Sequence, residues 1–296
     1  MKSAHEIREI VRERYGALAE GKSEGCACGC GPEAPDGAGA PATQGAAAQP
    51  GATATTSCCG VATSTATLVQ LGYTAEQAGA VPAGADLGLG CGSPLVFADA
   101  KPAETVLDLG SGAGIDAFLA ARAVGPSGRV IGVDMTHAML ERARENAARE
   151  GFANVEFRLG EIEHLPAADS SVDLIISNCV VNLSPEKAQV FREVRRVLRP
   201  GGRLLVSDLV LLQPLPERVR TSVEAYVGCV AGASLRGEYL GLIREAGFTD
   251  VEVVHESHYG GDIAAPGASD DESARAMASV VSVTVRARKP APPSDR

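Results

Sequence analysis

Three cysteines stand alone in the sequence, far from one another and from the remaining cysteines. Cys91 lies in the stretch LGLGCGSP, Cys179 in SNCVVNL and Cys229 in YVGCVAG. No histidine is near any of them in sequence, so a thiol nucleophile activated by an adjacent base is not indicated. The C-x-x-C spacing that is common in zinc sites is also absent. Isolated thiols of this kind are often small core residues, but three that converge in space would form a soft, thiophilic centre.

The other five cysteines are clustered near the N-terminus: Cys26, Cys28 and Cys30 in GCACGC, and the adjacent pair Cys58 and Cys59. The first residues, MKSAHEIREIVRERYG, form a charged amphipathic pattern without the apolar core of a signal peptide. We therefore expect a cytoplasmic protein in which these thiols stay reduced and Cys179 has no disulfide partner.

A glycine-rich loop, VLDLGSGAG at 106–114, closes a short apolar run and opens a helical pattern. Glycine here lets the backbone turn tightly and approach a ligand closely. The G-x-G-x-x-G fingerprint of nicotinamide enzymes is not met, because Ile115 occupies the position of its third glycine. The carboxylate of Asp108 would also complement a cationic amine or sulfonium better than a pyrophosphate. The loop therefore predicts a positively charged cofactor.

Alternating strands and helices must position these residues. Period-2 and continuous apolar runs predict strands at 104–110, 129–135, 154–160, 172–178 and 203–212. Helical patterns fall at 5–19, 74–82, 114–125, 136–151, 184–202, 217–230 and 237–246. Ser184 is the predicted N-cap of the 184–202 helix, and Cys229 falls within the 217–230 segment. Two more strands are predicted at 248–256 and 278–287.

This alternation predicts an α/β fold, a doubly wound parallel sheet with helices on both faces. Ligands of such sheets bind beyond the carboxyl ends of the strands. We divide the chain into an N-terminal helix (1–20), a flexible cysteine-containing Gly/Ala/Pro-rich linker (21–60), a cofactor-binding domain (61–212) and a small C-terminal α+β region (213–296) that carries Cys229 and closes over the substrate.

The overall charge limits the function classes. With 37 acidic against 27 basic residues the formal net charge is −10, which argues against a nucleic-acid or anionic-membrane partner. The apolar stretches are too short to cross a bilayer. A soluble protein that acts on a small molecule is the expected class.

The ordered set of motifs resembles the class I S-adenosylmethionine-dependent methyltransferases over about residues 100–212. D-x-G-x-G-x-G is followed by Asp134 at the end of the second strand, suited to ribose hydroxyls, and by GEI at the end of the third strand, suited to flank adenine. The resemblance implies a Rossmann-like fold and S-adenosylmethionine as cofactor. The implied cofactor-binding residues are Asp108, Gly110, Ser111, Gly112, Gly114, Asp134, Met135, Gly160, Glu161, Ile162 and Asn178.

Four segments narrow the resemblance: GADLGLGCGSPL, SNCVVNLSPEK, RVLRPGGRLLVSDL and YVGCVAGA closely resemble the arsenite S-adenosylmethionine methyltransferases. In that family trivalent arsenic is held by thiolates, and its lone pair attacks the methyl carbon of the cofactor. The resemblance implies Cys91, Cys179 and Cys229 as the arsenic ligands, with Cys58 or Cys59 as a further catalytic cysteine of the first methylation.

The family resemblance also implies partners. Arsenite and methylated arsenicals would be substrates, antimonite is a second candidate, and thioredoxin or glutathione would act as thiol reductant. It assigns no role to Cys26, Cys28 and Cys30. They are interpreted as an arsenite-capturing arm, as thiols that resolve a disulfide, or as incidental residues of a disordered tail.

Two other functions remain open on the sequence. A class I methyltransferase of a small organic molecule would share every cofactor motif, so only the three solitary cysteines distinguish it. A non-enzymatic metalloid-binding protein would keep the cysteines but would not need the complete cofactor loop.

Overall fold

The computed structural model describes residues 3–22, 65–259 and 278–292. Almost all of the predicted linker lies outside these ranges, including Cys26, Cys28, Cys30, Cys58 and Cys59. The predictions for those residues are therefore neither confirmed nor contradicted.

Ten α-helices and seven strands are described. The helices are α1 (Ala4–Ala19), α2 (Thr65–Gln70), α3 (Ala75–Ala80), α4 (Pro94–Ala98), α5 (Ile115–Val124), α6 (His137–Glu150), α7 (Lys187–Val197), α8 (Glu217–Arg220), α9 (Val223–Val227) and α10 (Arg236–Glu245). The strands are β1 (Thr105–Leu109), β2 (Arg129–Asp134), β3 (Val155–Leu159), β4 (Val172–Asn178), β5 (Leu198–Leu211), β6 (Thr249–His258) and β7 (Val280–Arg288). A short 3-10 helix spans Val181–Leu183.

All seven strands form one sheet in the order β3-β2-β1-β4-β5-β7-β6. The first five in this order are parallel to their neighbours, which confirms the doubly wound architecture. β7 is antiparallel to both β5 and β6. The alternation pattern alone does not predict how these last two strands pair. The segment after residue 212 thus contributes two strands to the sheet that carries the site.

Side chains alternate between the two faces of the sheet, as the strand period requires. On one face Leu107 of β1 packs in a buried cluster with Phe191 of α7. On the other face Val106 packs in a second cluster with Phe118 of α5 and Leu140 of α6. Both faces are therefore covered by helices, which explains why the central strands are almost continuously apolar.

A third buried cluster lies beyond the carboxyl ends of β4 and β5. It contains all three solitary cysteines, together with Val11 of α1, Leu183 and residues of the segment 215–230. Leu209 and Leu211 of β5 and Val280 of β7 also belong to it, so this cluster joins the cysteines to the end of the sheet.

Helix α1 confirms the predicted N-terminal helix and packs on α6. Ser3 and Glu6 form a capping box at its start, in which Ser3 Oγ accepts from Glu6 N and the Glu6 carboxylate accepts from Ser3 N. None of the described helices is long and apolar enough to cross a membrane.

The helix predicted over 184–202 begins later and ends earlier than expected. Ser184 follows the 3-10 helix; its Oγ donates to Glu163 Oε1 (2.6 Å) and accepts from Glu186 N (3.0 Å). The predicted N-cap role of Ser184 is therefore wrong, and α7 begins only after Glu186. At its C-terminal end, α7 stops at Val197 and β5 begins at the next residue, Leu198.

The segment predicted as helical over 217–230 is broken in two. Thr221 ends α8, and Ser222 is extended and caps α9 by accepting from Ala225 N at 3.2 Å. Cys229 lies after Gly228, beyond the end of α9, so its predicted place on a helix is wrong. An extended N-cap residue cannot continue the preceding helix, which accounts for the break.

Candidate active site

The structure brings the three solitary cysteines into one buried pocket, where each residue is at most 6% exposed. Cys91 and Cys179 form a disulfide, with their Cα atoms 5.7 Å apart. The Cys229 thiol donates to the carbonyl oxygen of Cys179 at 3.1 Å. The expectation that Cys179 has no disulfide partner is wrong, because folding brings together two residues that are 88 positions apart.

Unusual backbone conformations place two of these cysteines. Cys179 follows β4 with φ of 59° and Cys229 has φ of 63°. Residues other than glycine seldom adopt this left-handed conformation, and such positions concentrate at functional sites. Cys179 N donates to Ser207 O at 2.8 Å, so the turn is tied to β5.

The loop that carries Cys91 is held by two side chains from the sheet. Cys91 N donates to Asn178 Oδ1 at 3.1 Å, and Ser282 Oγ of β7 donates to Cys91 O at 2.7 Å. A Cβ on Gly92 would lie 2.9 Å from a side-chain atom of β5, so glycine allows the loop to approach the sheet this closely.

One carboxylate lies beside the disulfide. An oxygen of Asp208 and the sulfurs of Cys91 and Cys179 lie within 4.8 Å of one another. Burial raises the pKa of Asp208 to about 7, although the nearby Lys187 ammonium opposes this rise. Asn182, through N at 3.1 Å and Nδ2 at 2.8 Å, and the Tyr239 hydroxyl at 3.1 Å donate to this carboxylate.

The free thiol has a different environment from that of the disulfide. Burial and the Asp208 carboxylate raise the pKa of Cys229, while Tyr15 and Lys187 oppose the rise. Cys229 is therefore a neutral thiol at pH 7. Tyr15 OH of α1 donates to Val227 O at 3.2 Å, which ties α1 to the segment that carries Cys229.

A cavity with an empty volume of about 1100 Å³ lies at the carboxyl ends of β1, β2 and β4 and is open to solvent. Cys179 forms part of its wall, so the cavity and the thiol pocket meet at this residue. Helix α1 covers one side of the cavity with Arg8, Val11 and Tyr15.

The glycine-rich loop turns beneath this cavity. Gly110 and Gly112 have φ of 65° and 51° and both line it. A Cβ on Gly110 would overlap the Val180 side chain, which directly follows Cys179. Gly112 N donates to Asp134 Oδ2 at 3.0 Å, which anchors the loop to the end of β2.

Five carboxylates line the cavity: Glu163, which is paired with Arg8, and Asp86, Asp108, Asp116 and Asp134. Burial, with the neighbouring Asp116 and Asp134, raises the pKa of Asp108. Burial also raises the pKa of Asp116 to about 6. Oδ2 of Asp108 is buried without a hydrogen-bond partner among the described residues. A cationic ligand would compensate these carboxylates, whereas a pyrophosphate would be repelled, so the residues present fit a sulfonium cofactor.

The structure brings nearly all of the predicted cofactor-binding residues to this cavity: Asp108, Gly110, Ser111, Gly112, Asp134, Met135, Gly160, Ile162 and Asn178 line it. Gly114 and Glu161 do not. Gly114 is the N-cap of α5, where an added Cβ would lie only 2.6 Å from the Phe118 ring. Glu161 points its carboxylate at Arg8 and Arg12 of α1.

Several residues of the site were not singled out by sequence reasoning, among them Tyr15, Tyr73, Asp116 and Asp208. Asp116 follows the glycine loop at the start of α5, and an acidic residue within an otherwise apolar helix was an available signal. Tyr15 comes from the far N-terminus, and its sequence position carries no indication that α1 covers the cavity.

Residues 100–247 match the methyltransferase domain family. The chain is 48% identical over 287 residues to the arsenite methyltransferase of Halobacterium salinarum, covering 97% of this chain and 67% of that protein. It is 46% identical over 158 residues to the arsenite methyltransferase of Aquipseudomonas alcaligenes, covering 51% of this chain and 46% of that protein. The chain thus spans about two thirds of the first relative and about half of the second.

A solved structure is also similar. The crystal structure of an arsenic(III) S-adenosylmethionine methyltransferase from Chlamydomonas reinhardtii matches at a TM-score of 0.59 and 35% identity, covering 79% of this chain and 76% of that one. The resemblance found in the sequence is confirmed. The chain belongs to the arsenite methyltransferase family of S-adenosylmethionine-dependent methyltransferases.

Proposed function

We propose that this protein transfers methyl groups from S-adenosylmethionine to trivalent arsenic held by the thiolates of Cys91, Cys179 and Cys229, giving methylated arsenicals and S-adenosylhomocysteine. One observation carries the proposal: three cysteines from separate parts of the chain meet in one buried pocket, and Cys179 also forms a wall of the cofactor cavity. Arsenite and its methylated products are the proposed substrates, with antimonite as a second candidate.

The disulfide must be reduced before arsenic can bind to three thiols. Two electrons from a thiol reductant convert the Cys91–Cys179 disulfide into two thiols, and the reductant leaves as its own disulfide. Thioredoxin or glutathione is the proposed reductant. Arsenous acid then condenses with three thiols, each thiol proton leaving with one hydroxide as water. This exchange needs no net proton acceptor, which suits a pocket in which Cys229 is a neutral thiol.

The cofactor would be held by the carboxylates and glycines of the cavity. When bound, S-adenosylmethionine supplies an electrophilic methyl carbon on a positively charged sulfur. Asp108 and Asp116 favour a cation, Asp134 ends β2 at the place suited to ribose hydroxyls, and Gly110 and Gly112 leave room for close approach.

The protein contributes alignment and exclusion of water. The left-handed turn at Cys179 fixes one thiol at the boundary between the two pockets. Helix α1 shields one side of the cavity and reaches the Cys229 segment through Tyr15. Holding the reacting atoms in one orientation is the main source of acceleration for a displacement that needs little acid or base chemistry.

Two finer assignments rest on the sequence. Cys58 or Cys59 is the proposed additional cysteine of the first methylation, and serine variants of each, assayed separately, would choose between them. Arsenic detoxification in the cytoplasm is the proposed physiological role, because a reducing compartment keeps the arsenic-binding thiols available.

The test is to incubate the reduced protein with arsenite, S-adenosylmethionine and a thiol reductant, and to separate arsenic species by chromatography with elemental detection. Methylarsenicals that form in step with S-adenosylhomocysteine are expected. Arsenite that binds but is never methylated would contradict the enzymatic proposal. Equal methylation by the disulfide-bonded protein without reductant would contradict the need to open the disulfide.

A further inference from the structure

Asn178, the last residue of β4, occupies the boundary between the cofactor cavity and the thiol pocket. Its Oδ1 accepts from Cys91 N at 3.1 Å. Its Nδ2 donates to Gly92 O at 2.7 Å, to Asp116 Oδ2 at 3.1 Å and to Tyr73 OH at 3.1 Å. A single amide thus binds the Cys91 loop on one side and the cavity carboxylate on the other.

The backbone determines which way this amide faces. Cys91 N can only donate and Gly92 O can only accept, so the oxygen and the nitrogen of Asn178 cannot exchange places. The two N–H groups already have three acceptors within the protein. The amide therefore has no free donor for a cofactor, although the sequence placed Asn178 among the cofactor-binding residues.

Tyr73 and Asp116 complete the connection. Tyr73 OH donates to Asp116 Oδ1 at 2.9 Å, so the phenol and the amide bind the two oxygens of the same carboxylate. Because Asp116 lies at the start of α5 and Cys91 in the loop before α4, this cluster joins the element that follows the glycine loop to the loop that carries a thiol.

We propose that Asn178 is a positioning residue of the reaction, which holds Cys91 against Cys179 and fixes both relative to the cofactor cavity through Asp116, and that its amide donates no hydrogen bond to the cofactor. That the thiols bind arsenic rests on the function proposed above. The placement of Cys91 by Asn178 does not, because the Cys91–Cys179 disulfide reports the same placement without arsenic.

The decisive variant is Asn178→Ala, with Asn154→Ala as its matched control. Asn154 also uses its amide for two backbone carbonyls, Ala121 O at 3.2 Å and Gly125 O at 2.9 Å. It immediately precedes β3, at the end of the sheet opposite the site. A general effect of deleting a bonded asparagine would appear in both variants.

The first measurement is thiol–disulfide exchange with a glutathione buffer, followed by mass spectrometry of the peptides that contain Cys91 and Cys179. Glutathione disulfide takes two electrons from the thiol pair, so the equilibrium constant gives the effective concentration of one thiol at the other. We expect Asn178→Ala to lower it about tenfold, the scale of a lost buried hydrogen-bond set, and Asn154→Ala to leave it within about twofold.

The second measurement is equilibrium dialysis of S-adenosylhomocysteine and, separately, of arsenite. For Asn178→Ala we expect arsenite binding weakened about tenfold. S-adenosylhomocysteine binding should fall less, because the amide has no free N–H for a cofactor but does support Asp116. Unchanged exchange together with weakened S-adenosylhomocysteine binding would overturn the proposal and make Asn178 a cofactor contact. An equal loss of arsenite and S-adenosylhomocysteine binding would overturn it as well, since the effect would not be specific to Cys91.

Two further results keep the test decisive. If circular dichroism shows that Asn178→Ala does not fold, Tyr73→Phe and Asn178→Ser are compared instead. Tyr73→Phe removes the hydroxyl from the cluster but leaves the hydrogen bond from Cys91 N to Asn178 in place, so it should change the exchange equilibrium constant less than Asn178→Ser does. A larger change in Tyr73→Phe than in Asn178→Ser would contradict the proposal. A wild type that binds no arsenite yet shows the expected loss of exchange in Asn178→Ala would reject the proposed substrate and retain the positioning role.

Discussion

The cavity lined by the glycine-rich loop (the cofactor end) and the pocket of Cys91, Cys179 and Cys229 (the thiol end) differ in how far apart their residues lie in the sequence. The cofactor cavity takes its glycine-rich loop and the carboxylates Asp108, Asp116 and Asp134 from consecutive elements, β1, α5 and β2. The thiol pocket gathers Cys91, Cys179 and Cys229 from loops that are 88 and 50 residues apart. A local site can be stated as a motif, whereas a dispersed site exists only once the chain has folded.

The two ends also differ in charge compensation. Oδ2 of Asp108 in the cavity has no partner among the described residues, so that end is prepared for a cation. In the thiol pocket Asp208 accepts from Asn182, Leu209 N and Tyr239 and needs no further partner. Apolar side chains such as Leu183, Leu209 and Val230 surround the cysteines there, which suits uncharged arsenous acid.

Removal of one thiol should separate the two ends most clearly. We expect Cys179→Ser to abolish arsenite methylation, because a hydroxyl is a poor ligand for a soft metalloid. Binding of S-adenosylmethionine should remain within about twofold, since the cavity keeps its carboxylates. Arsenic speciation and calorimetric binding measure the two effects. Full methylation by this variant would show that the thiol assignment is wrong.

Gly110→Ala should damage both ends at once. An added Cβ would overlap Val180, next to Cys179, in a left-handed backbone position. The combined strain should cost about 2–4 kcal/mol, seen as weaker S-adenosylhomocysteine binding and slower methylation.

The control is Gly151→Ala, which has φ of 72° but no atom near the added Cβ. It should lower the stability by only about 1 kcal/mol and leave ligand binding unchanged. Equal effects of the two variants on binding would mean that backbone strain, and not the contact with Val180, limits this position.

Acid should weaken cofactor binding. The pKa of Asp116 is about 6 because the group is buried. Below that pH the carboxyl is protonated and no longer attracts a sulfonium, whose charge does not titrate. Affinity for S-adenosylmethionine should therefore rise with pH up to about 6 and then level off, by at most about tenfold per pH unit.

Asp116→Asn should flatten this profile, as measured by dialysis from pH 5 to pH 8. The exposed Glu156, whose pKa is lowered to about 2 by hydrogen bonds from Arg158 and Arg129, provides the control. Glu156→Gln should keep the wild-type profile. A pH dependence that persists in Asp116→Asn would assign it to another carboxylate, such as Asp108.

The smallest effect is expected where α1 meets the thiol end. Tyr15→Phe removes the hydrogen bond to Val227 O. The loss of about 1 kcal/mol should weaken arsenite binding a few-fold. Arsenite dialysis measures it, and S-adenosylhomocysteine binding in the same variant is the internal control. An effect confined to S-adenosylhomocysteine would show that α1 acts on the cofactor end only.

The cofactor end could be predicted well from the sequence because its chemistry is local. D-x-G-x-G-x-G, the acidic end of β2 and the alternation of elements are all short-range patterns, and they led to the parallel strands of the sheet and to nine of the residues that line the cavity. The ion pairs of Glu161 with Arg8 and Arg12 of α1 are long-range contacts that its sequence position did not indicate.

The thiol end was less predictable because its geometry depends on tertiary contacts. The resemblance named Cys91, Cys179 and Cys229, but the disulfide and the left-handed turns at Cys179 and Cys229 follow from packing against β5 and α9. Asp208 is one acidic residue within an apolar strand, and only the fold places it beside two sulfurs.

Strand β7 is the last of the described strands in sequence, yet it lies between β5 and β6 in the sheet. It brings Ser282, which holds the Cys91 carbonyl, and Thr284, whose hydroxyl hydrogen-bonds Ser207. During translation the cofactor end can therefore fold while one anchor of the thiol end has still to be synthesised. The thiol pocket thus depends on a strand that contributes nothing to the lining of the cofactor cavity, and a stop codon ahead of β7 would leave β5 with an open edge and the Cys91 loop without its Ser282 anchor.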